Sequence, residues 1–327
     1  MKASWVERVP GRRTSASRRA ARAGLRLRDG LLAPLTKKLY QEAFVRLWNW
    51  GGRRPPPSLF SNAAYDRFLA AFIEAQWSDG ATRGDAGNAL SASIQVYPQL
   101  RGRGQLPESW FLLNAWARYE IPCRAPPMPV DVLLGLTWYF IRMNQVGGAL
   151  MLLIGFDCFL RTGEMLSLTI ADLSFATNDT GVVRLAHTKS GRRHAAFEAS
   201  TINDPLCGRL FRAFKRQLPR GTHEDNYVFL PKLHRFYQLF ESGLRWLGLD
   251  SYGFKPYSVR RGGATAFFRA TRNMEATLDR GRWSSVRVAR IYVNDGIARE
   301  VELQFSRQVR ERLSLFRAAL QLWLQSQ

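Results

Sequence analysis

Residues 257–268 read YSVRRGGATAFF and place two adjacent arginines, Arg260 and Arg261, in a small, apolar stretch. The spacing of the apolar residues predicts a partly buried helix over 258–270. Another arginine, Arg161, lies in FLRTGEMLSLTIADL (159–173), near the end of a second apolar helix. Two guanidinium groups on buried helices need an anion between them, and a phosphate fits because guanidinium forks bind its oxygens bidentately.

The net charge of the chain also favours a phosphate-containing partner. It carries 48 lysines and arginines against 26 acidic residues, a net charge of +22 over 327 residues. Such a surface attracts polyanions, of which nucleic acid is the commonest. Residues 1–30 hold nine basic and two acidic side chains, so most of the excess charge lies elsewhere. The composition favours a nucleic-acid partner over a basic protein with no specific partner.

Other classes of protein fit the composition less well. Three cysteines without paired spacing indicate a reducing compartment, and no Cys/His spacing is typical of a zinc site. We therefore expect no metal and no cofactor. The longest apolar run (149–160) is too short to span a bilayer and contains Asp157, so no membrane partner is expected. The predicted location is intracellular: the nucleus in a eukaryote, or the cytoplasm and nucleoid in a bacterium.

The pattern along the chain predicts two domains after a basic, disordered arm at 1–30. Four amphipathic helical patterns between residues 31 and 122 predict a small helical domain. The proline-rich stretch CRAPPMPVD (123–131) is the predicted linker. The remainder, 132–327, is predicted to be mostly helical with a small β-sheet, an α+β arrangement.

Within 132–327 the clearest change of period is at 179–199, where apolar and polar residues alternate around a KSGR turn. This alternation predicts a β-hairpin. Before it, one continuous helix is expected over 146–166. At the end of the chain a single long amphipathic helix is expected over 297–325, which either docks on a neighbouring protomer or packs on its own domain.

Three further features would be ordinary on their own and suggest a catalytic site only in combination. Glu164 follows Arg161 by three residues and shares its helix face, as a salt-bridge partner does. Lys189 in HTKSGRRH (187–194) lies at the hairpin tip, either as part of a solvated turn or as a general acid. In GRWSSVRVARIYVND (281–295), Trp283 precedes a helix that Ser284 is expected to cap, and Tyr292 lies eight residues beyond Ser284.

In this order, these motifs resemble those of the tyrosine recombinases, the phage-integrase-like site-specific recombinases. LRTGEMLSL resembles their first arginine motif, YSVRRGGATAF their His-x-x-Arg helix, and GRWSSVRVARIYV their carboxy-terminal signature. The resemblance covers roughly residues 31–320. It implies a helical, SAM-like core-binding domain at 31–122 that clamps DNA together with a catalytic domain at 132–327.

The resemblance also implies residue roles. Arg161 and Arg260 would neutralise the phosphodiester and stabilise its pentacoordinate transition state. Tyr292 would attack the phosphorus and form a 3′-phosphotyrosine, which retains the bond energy for rejoining. Lys189 would protonate the leaving 5′-oxygen, and the indole N–H of Trp283 would donate to a non-bridging oxygen.

Glu164 would support the first arginine. The remaining basic residues singled out here are expected to contact DNA; they are Lys37, Lys38, Arg192, Arg193, Arg261 and Arg282.

Tyr257 departs from the family pattern, because it stands where the family keeps a histidine. A phenol has a pKa of about 10, against about 6.5 for imidazole, so it is a poor general base near neutral pH. It can still donate a hydrogen bond to the phosphate. Tyr257 is therefore counted among the candidate catalytic residues.

The sequence thus predicts a DNA breaking–joining enzyme that integrates or excises mobile DNA. Its predicted partners are double-stranded DNA and further copies of the chain in a synaptic dimer or tetramer. Two related functions stay open: a catalytically decayed recombinase that only binds DNA, and a type IB topoisomerase-like activity. A helical RNA- or chromatin-binding protein whose motifs are coincidental is a third class.

Overall fold

The computed structural model describes residues 34–52, 61–121, 123–185, 198–229 and 233–326, with a few isolated positions before residue 34. The predicted arm at 1–30 therefore lies almost wholly outside the described residues. The chain divides into two compact units, Met1–Cys123 and Arg124–Gln327. No helix in the described ranges is long and apolar enough to cross a membrane.

The first unit is built from helices alone in its described part. Helix α1 packs on α3, and α2 packs on α4, around a core that includes Tyr65 and Phe72. Ser61 and Thr82 cap α2 and α3 with their side-chain oxygens, as expected for residues that satisfy free N–H groups. The helices are α1 (Pro34–Trp50), α2 (Asn62–Ser78), α3 (Arg83–Val96) and α4 (Pro107–Tyr119).

A buried carboxylate joins two of these helices. Asp66 on α2 accepts hydrogen bonds from the backbone N–H groups of Glu108 (2.9 Å) and Ser109 (3.0 Å) and from the Ser109 hydroxyl (2.6 Å). These donors lie in the first turn of α4, where the helix dipole favours a negative charge. The contact replaces the water that Asp66 loses on burial and sets the position of α4 against α2.

The second unit contains ten helices and a three-stranded sheet in its described part. The sheet is antiparallel in the order β1-β2-β3, with Val183 opposite both Leu173 and Ser200. The strands are β1 (Leu173–Phe175), β2 (Gly181–Leu185) and β3 (Glu198–Ile202). The helices are α5 (Val130–Arg142), α6 (Val146–Asp157), α7 (Thr162–Leu166), α8 (Pro205–Gln217), α9 (Leu233–Leu247), α10 (Tyr257–Thr271), α11 (Met274–Arg280), α12 (Val286–Tyr292), α13 (Asp295–Gln304) and α14 (Arg307–Gln325).

Helix α6 is the centre of the second unit, since every residue from Val146 to Gly155 is buried. The helix contacts α5, α8 and α10. The sequence predicted one helix over 146–166, and this is wrong: α6 ends at Asp157, and α7 begins at Thr162. The Asp157 carboxylate accepts a hydrogen bond from the Asn203 backbone (2.7 Å), so the end of α6 is tied to the residues after β3.

The C-terminal segment also differs from its prediction. Two helices, α13 and α14, replace the single helix expected over 297–325, because Ser306 caps α14 by accepting from the Val309 N–H (3.2 Å). The apolar stripe packs on the unit's own core, where Val309 is buried and Phe316 stacks on Trp246 at 4.2 Å. Of the two alternatives, the structure therefore shows packing on the same domain.

Helix α10 approaches its neighbours closely through two glycines. A Cβ atom at Gly262 would overlap the backbone oxygen of Met128, and one at Gly263 would overlap the backbone oxygen of Phe156. These two glycines therefore let α10 pack closely behind the paired arginines Arg260 and Arg261.

We expect Gly263→Ala to lower the free energy of unfolding by about 3 kcal/mol, because a main-chain oxygen cannot rotate away from the new methyl group. The matched control is Gly296→Ala in α13, where the nearest atom to a new Cβ is Asn294 Oδ1 at 3.8 Å. Urea denaturation followed by circular dichroism measures both variants. Equal midpoints for the two would contradict the close approach.

Candidate active site

Arg161 and Glu164 form the first part of the site, at the start of α7. The Glu164 carboxylate accepts from the Arg161 backbone N–H through Oε2 (2.8 Å) and from Arg161 Nη1 through Oε1 (2.5 Å). Glu164 is buried, and this pair closes the first turn of the helix. The same carboxylate therefore both caps α7 and sets the position of the Arg161 guanidinium.

Arg260 lies next to this pair and is only 1% exposed. Its Nη1 donates to the carbonyl of Phe159, its Nη2 donates to the carbonyl of Gly281 (3.0 Å), and Nη1 lies 3.8 Å from Glu164 Oε2. Burial and the charge of Arg161 lower the pKa of Arg260 to about 10. A bound anion would offset this cost of burying a cation.

Two non-glycine residues beside Arg260 have left-handed backbone conformations. Phe159 has a φ of 49°, and Arg282 has a φ of 55°. Such conformations are uncommon for residues with a Cβ, and they cluster at functional sites where the surroundings hold them in place. The turn at Phe159 directs its carbonyl oxygen to Arg260.

Three aromatic rings form a stack along the same wall. Trp283 lies 6.1 Å from Phe159 and 4.6 Å from Tyr292 between ring centroids, with interplanar angles of 18° and 21°. Arg260 Cζ lies 5.1 Å from the Trp283 centroid and 4.8 Å from the Tyr292 centroid, within the range of cation–π attraction. The stack thus holds the Tyr292 ring over the Arg260 guanidinium.

The cap of the Tyr292 helix differs from the sequence-based prediction. Ser285, not Ser284, caps α12, because its Oγ accepts from the Val288 N–H (3.4 Å). Behind α12, the Thr265 hydroxyl on α10 donates to the Tyr292 carbonyl (3.3 Å). This contact joins the carboxyl end of α12 to α10.

Several buried donors of this region have no hydrogen-bond partner within the described part of the chain. They are Arg260 Nε, Trp283 Nε1, Arg282 Nε and Arg282 Nη1. Buried polar groups are almost always hydrogen-bonded, so such a concentration indicates a missing acceptor. An oxyanion fits, since every one of these groups is an N–H donor.

Tyr257 lies beside Tyr292, with ring centroids 5.6 Å apart. Burial and the neighbouring Tyr292 phenol raise the pKa of Tyr257 above its ordinary value of 10. The phenol therefore stays protonated near neutral pH and can donate a hydrogen bond, but it cannot serve as a general base there.

Solved structures with this architecture were found by comparison of the whole fold. The integrase of the Tn1549 transposon, in complex with transposon right-end DNA, is 14% identical with a TM-score of 0.58, over 84% of this chain and 95% of that one. A lambda integrase dimer bound to a COC′ core site is 13% identical with a TM-score of 0.57, over 81% and 90% of the two chains. The chain has the tyrosine recombinase fold. The resemblance seen in the sequence is thereby confirmed at the level of the fold.

A third structure with the tyrosine recombinase fold is the XerH site-specific recombinase bound to a palindromic difH substrate. It is 12% identical with a TM-score of 0.55, over 79% of this chain and 76% of that one. No family model matches the sequence, and no curated protein matches it. At these identities, the comparison establishes the fold and leaves the site to be argued from its own residues.

On this fold the structure brings most of the predicted catalytic residues together. Each one contacts at least one other member of the group. They are Arg161, Glu164, Tyr257, Arg260, Trp283 and Tyr292.

One predicted DNA contact needs correction. Arg261 is 4% exposed, and its Nη1 donates to the Ala125 carbonyl, so it ties α10 to residues 124–129 and is not free to hold a DNA phosphate. Arg282, another predicted DNA contact, is turned inward toward the site, where its Nη2 donates to Glu164 Oε2 (3.0 Å). The sequence around Arg261 and Arg282 does not reveal these directions, because the side chains of adjacent residues on a helix or turn point to different sides.

The other predicted DNA contacts are not all visible. Arg192 and Arg193 lie outside the described residues, as does Lys189, which is a predicted catalytic residue. Lys37 and Lys38 lie on the exposed side of α1 in the first unit, where Lys38 Nζ is 3.8 Å from the carboxylate of Glu42. In the described ranges, no group of three or more His, Cys, Asp or Glu side chains could hold a metal ion.

Sequence reasoning missed three groups of the site. The carbonyls of Phe159 and Gly281 accept the two Arg260 hydrogen bonds, and Glu198 on β3 lies 3.7 Å from Arg282 Nε. Backbone acceptors leave no side-chain signal in a sequence. Glu198 belongs to a strand pattern that gives no reason to place it beside α7.

Proposed function

We propose that this chain is a DNA breaking–joining enzyme of the tyrosine recombinase type. The observation that carries the proposal is the position of Tyr292, whose ring is stacked on Trp283 and lies directly over the guanidinium of Arg260. A lone tyrosine on a short helix is ordinarily a packing residue. Here, it stands at the edge of a buried group of arginines with unused N–H donors.

The reaction follows from these groups. The Tyr292 oxygen attacks the scissile phosphorus, a phosphotyrosyl bond forms, and the bond from phosphorus to the 5′-oxygen breaks. The Tyr292 phenol gives its proton to solvent water, and the leaving 5′-oxygen gains one from Lys189, as the resemblance implies. Arg161 and Arg260 stabilise the charge that develops on the non-bridging oxygens, and the reverse reaction rejoins the strand without ATP.

In the conformation described, the Tyr292 ring covers Arg260, and Arg260 is almost fully buried. A phosphate therefore reaches this guanidinium only after the ring moves. Binding DNA supplies the free energy for that movement if the phosphate binds the opened site more tightly than the closed one. We propose that the closed arrangement belongs to the protein without DNA.

The proposed partner is double-stranded DNA, bound by a core-binding domain at 31–122 and by a catalytic domain at 132–327, with 123–131 as linker. We propose a homodimer or tetramer on DNA, and integration or excision of mobile DNA as the biological role. The support is the fold shared with a transposon integrase on transposon-end DNA and with a lambda integrase dimer on a core site. The net charge of +22 suits this partner.

The test uses a pool of nicked duplexes with randomised sequence around the nick. The nick lets a short 5′-hydroxyl fragment diffuse away after cleavage, so a covalent intermediate accumulates. We expect an adduct that survives SDS, and DNA attached to the tryptic peptide IYVNDGIAR (291–299). Sequencing the trapped DNA gives the preferred site.

Two other functions have distinct outcomes in this test. A decayed recombinase, favoured by the tyrosine at position 257, retains the same DNA but forms no adduct. A topoisomerase-like enzyme forms the adduct and relaxes supercoiled plasmid at low protein concentration without exchanging strands between duplexes.

Tyr257 gives a prediction of its own. Tyr257→Phe removes the phenol oxygen beside Tyr292, and we expect cleavage to slow about tenfold, the loss of one good hydrogen bond to the phosphate. Tyr257→His introduces a group with a pKa near about 6.5, so we expect faster cleavage that rises with pH through that value. Single-turnover cleavage of nicked DNA between pH 5.5 and about 8 measures both. If the first variant is silent and the second no faster, Tyr257 has no catalytic role.

A further inference from the structure

Arg282 occupies an unusual position between Gly281 and Trp283. Its backbone is left-handed, with a φ of 55°, although glycine suits this conformation best. Its side chain is only 13% exposed and turns into the site, where Nη2 donates to Glu164 Oε2 (3.0 Å). A strained backbone and a buried charge at one residue both cost free energy, so a functional role for Arg282 is expected.

Two of its three guanidinium nitrogens lack a hydrogen bond. Nη1 and Nε have no partner within the described part of the chain, and Nε lies 3.7 Å from Glu198 Oε2, beyond hydrogen-bonding distance. Glu198 Oε2 is itself without a hydrogen bond. If Arg282 served only as a counterion to Glu198, we would expect its Nε to lie within hydrogen-bonding distance of Glu198 Oε2. Such a role also does not explain the burial of Nη1, which has no hydrogen-bond acceptor among the described residues.

The charges around Arg282 do not balance. Among the described residues, an arginine cluster holds three cations and two anions within ion-pair distance of one another; its members are Arg161, Arg260, Arg282, Glu164 and Glu198. One positive charge is left over in a buried setting. Burial removes water from the Arg282 guanidinium and lowers its pKa. A phosphodiester carries one negative charge and accepts hydrogen bonds only, so it matches both the charge and the free donors.

We propose that Arg282 is a third phosphate-binding arginine of this site, and that its Nη1 donates to a non-bridging oxygen of the scissile phosphodiester. The inference rests on the proposed function for its substrate. Glu164 holds Arg282 in place through Nη2 while it holds Arg161 through Nη1. One carboxylate thereby positions two arginines for one anion.

The test compares Arg282→Gly with wild type on two nicked duplexes. One has an ordinary phosphodiester at the cleavage site, and the other has a methylphosphonate, which is neutral because a methyl group replaces one non-bridging oxygen. Glycine suits a φ of 55°, so the substitution keeps the backbone and removes only the side chain. Arg161 remains as a partner for Glu164.

On the phosphodiester we expect Arg282→Gly to cleave about 100-fold more slowly than wild type, the loss typical of one transition-state donor. On at least one methylphosphonate diastereomer, we expect the difference to fall below about threefold, because the charge that Arg282 neutralises is absent. A purely structural arginine would give the same ratio on both substrates, and that result would overturn the proposal.

The matched control is Arg272→Gly. Arg272 is also an arginine with a left-handed backbone, at a φ of 52°, but it caps the end of α10 with its side chain 68% exposed. Its replacement relieves the same kind of strain outside the arginine cluster. We expect its cleavage ratio between the two substrates to equal that of wild type.

A second readout does not depend on catalysis. Inorganic phosphate should raise the Tm of wild type by about 3 °C or more at saturating concentration, because it binds the folded protein alone. We expect half that rise or less for Arg282→Gly and the full rise for Arg272→Gly. If wild type forms no adduct yet shows this difference, the anion site stands and the proposed catalysis fails. An equal rise in all three proteins rejects the anion site.

Discussion

Tyr292→Phe is expected to reduce the covalent adduct on nicked DNA to background, a loss of more than about a thousandfold. The substitution removes one oxygen atom, the one that would form the bond to phosphorus. The ring itself keeps its stacking on Trp283 and its place over Arg260, so the fold and DNA binding should remain. SDS gel electrophoresis of radiolabelled nicked duplex measures the adduct, and a gel-shift assay measures binding.

The control for this prediction is Tyr237→Phe on α9, which removes the same oxygen from an exposed tyrosine of the same unit. It should form the adduct at the wild-type rate. An adduct that persists in Tyr292→Phe would show that another residue is the nucleophile. Tyr257 is then the first candidate, because its ring centroid lies 5.6 Å from that of Tyr292, and the double phenylalanine variant would decide.

Arg260→Lys is expected to lower the cleavage rate at least 100-fold while the protein stays folded. Lysine keeps a positive charge near Glu164, but it cannot donate to the Phe159 and Gly281 carbonyls together and still face a phosphate. Rates under single-turnover conditions with saturating enzyme separate this chemical effect from weaker DNA binding.

Arg260→Ala should also destabilise the protein. The substitution leaves the buried carbonyls of Phe159 and Gly281 unpaired, and it leaves a cavity where the Arg260 side chain, which is 1% exposed, had been. We expect the free energy of unfolding to fall by about 3 kcal/mol or more. Arg269→Ala, nine residues on along α10, removes a half-exposed pair with Asp295 (2.6 Å) and should cost less than about 1 kcal/mol without slowing cleavage. Wild-type cleavage by Arg260→Lys would show that Arg260 is purely structural.

Local signals in the sequence led to much of the fold. The apolar spacing of α2, α8 and α9 and the alternation in β2 report the period of each element directly. The order of the motifs around Arg161, Arg260 and Tyr292 indicated the tyrosine recombinase fold at only 12–15% identity to the solved structures. Motif residues keep their spacing because each sits within one short element, where the local backbone sets the distance.

The prediction failed where a contact between distant segments overrides the local pattern. The apolar run after Val146 continues past Asp157, yet the helix ends there because the Asp157 carboxylate bonds to Asn203 and Arg280 (2.7 Å each). The break at Ser306 has a local cause instead, because the Ser306 side chain accepts from the Val309 N–H and caps α14. Such a cap competes with helix continuation by a small difference in free energy.

By itself, the sequence determined the charge, the helical and β-strand character of most segments, and the candidate residues Arg161, Glu164, Arg260, Trp283 and Tyr292. Only the tertiary structure decided which guanidinium faces which acceptor. Arg261 and Arg282 were both predicted to contact DNA; Arg261 is tied to the Ala125 carbonyl, and Arg282 lies against Glu164 inside the site. The physical reason is that side-chain direction on neighbouring residues differs by a large rotation. Burial then depends on which segments, far apart in the chain, pack against that side.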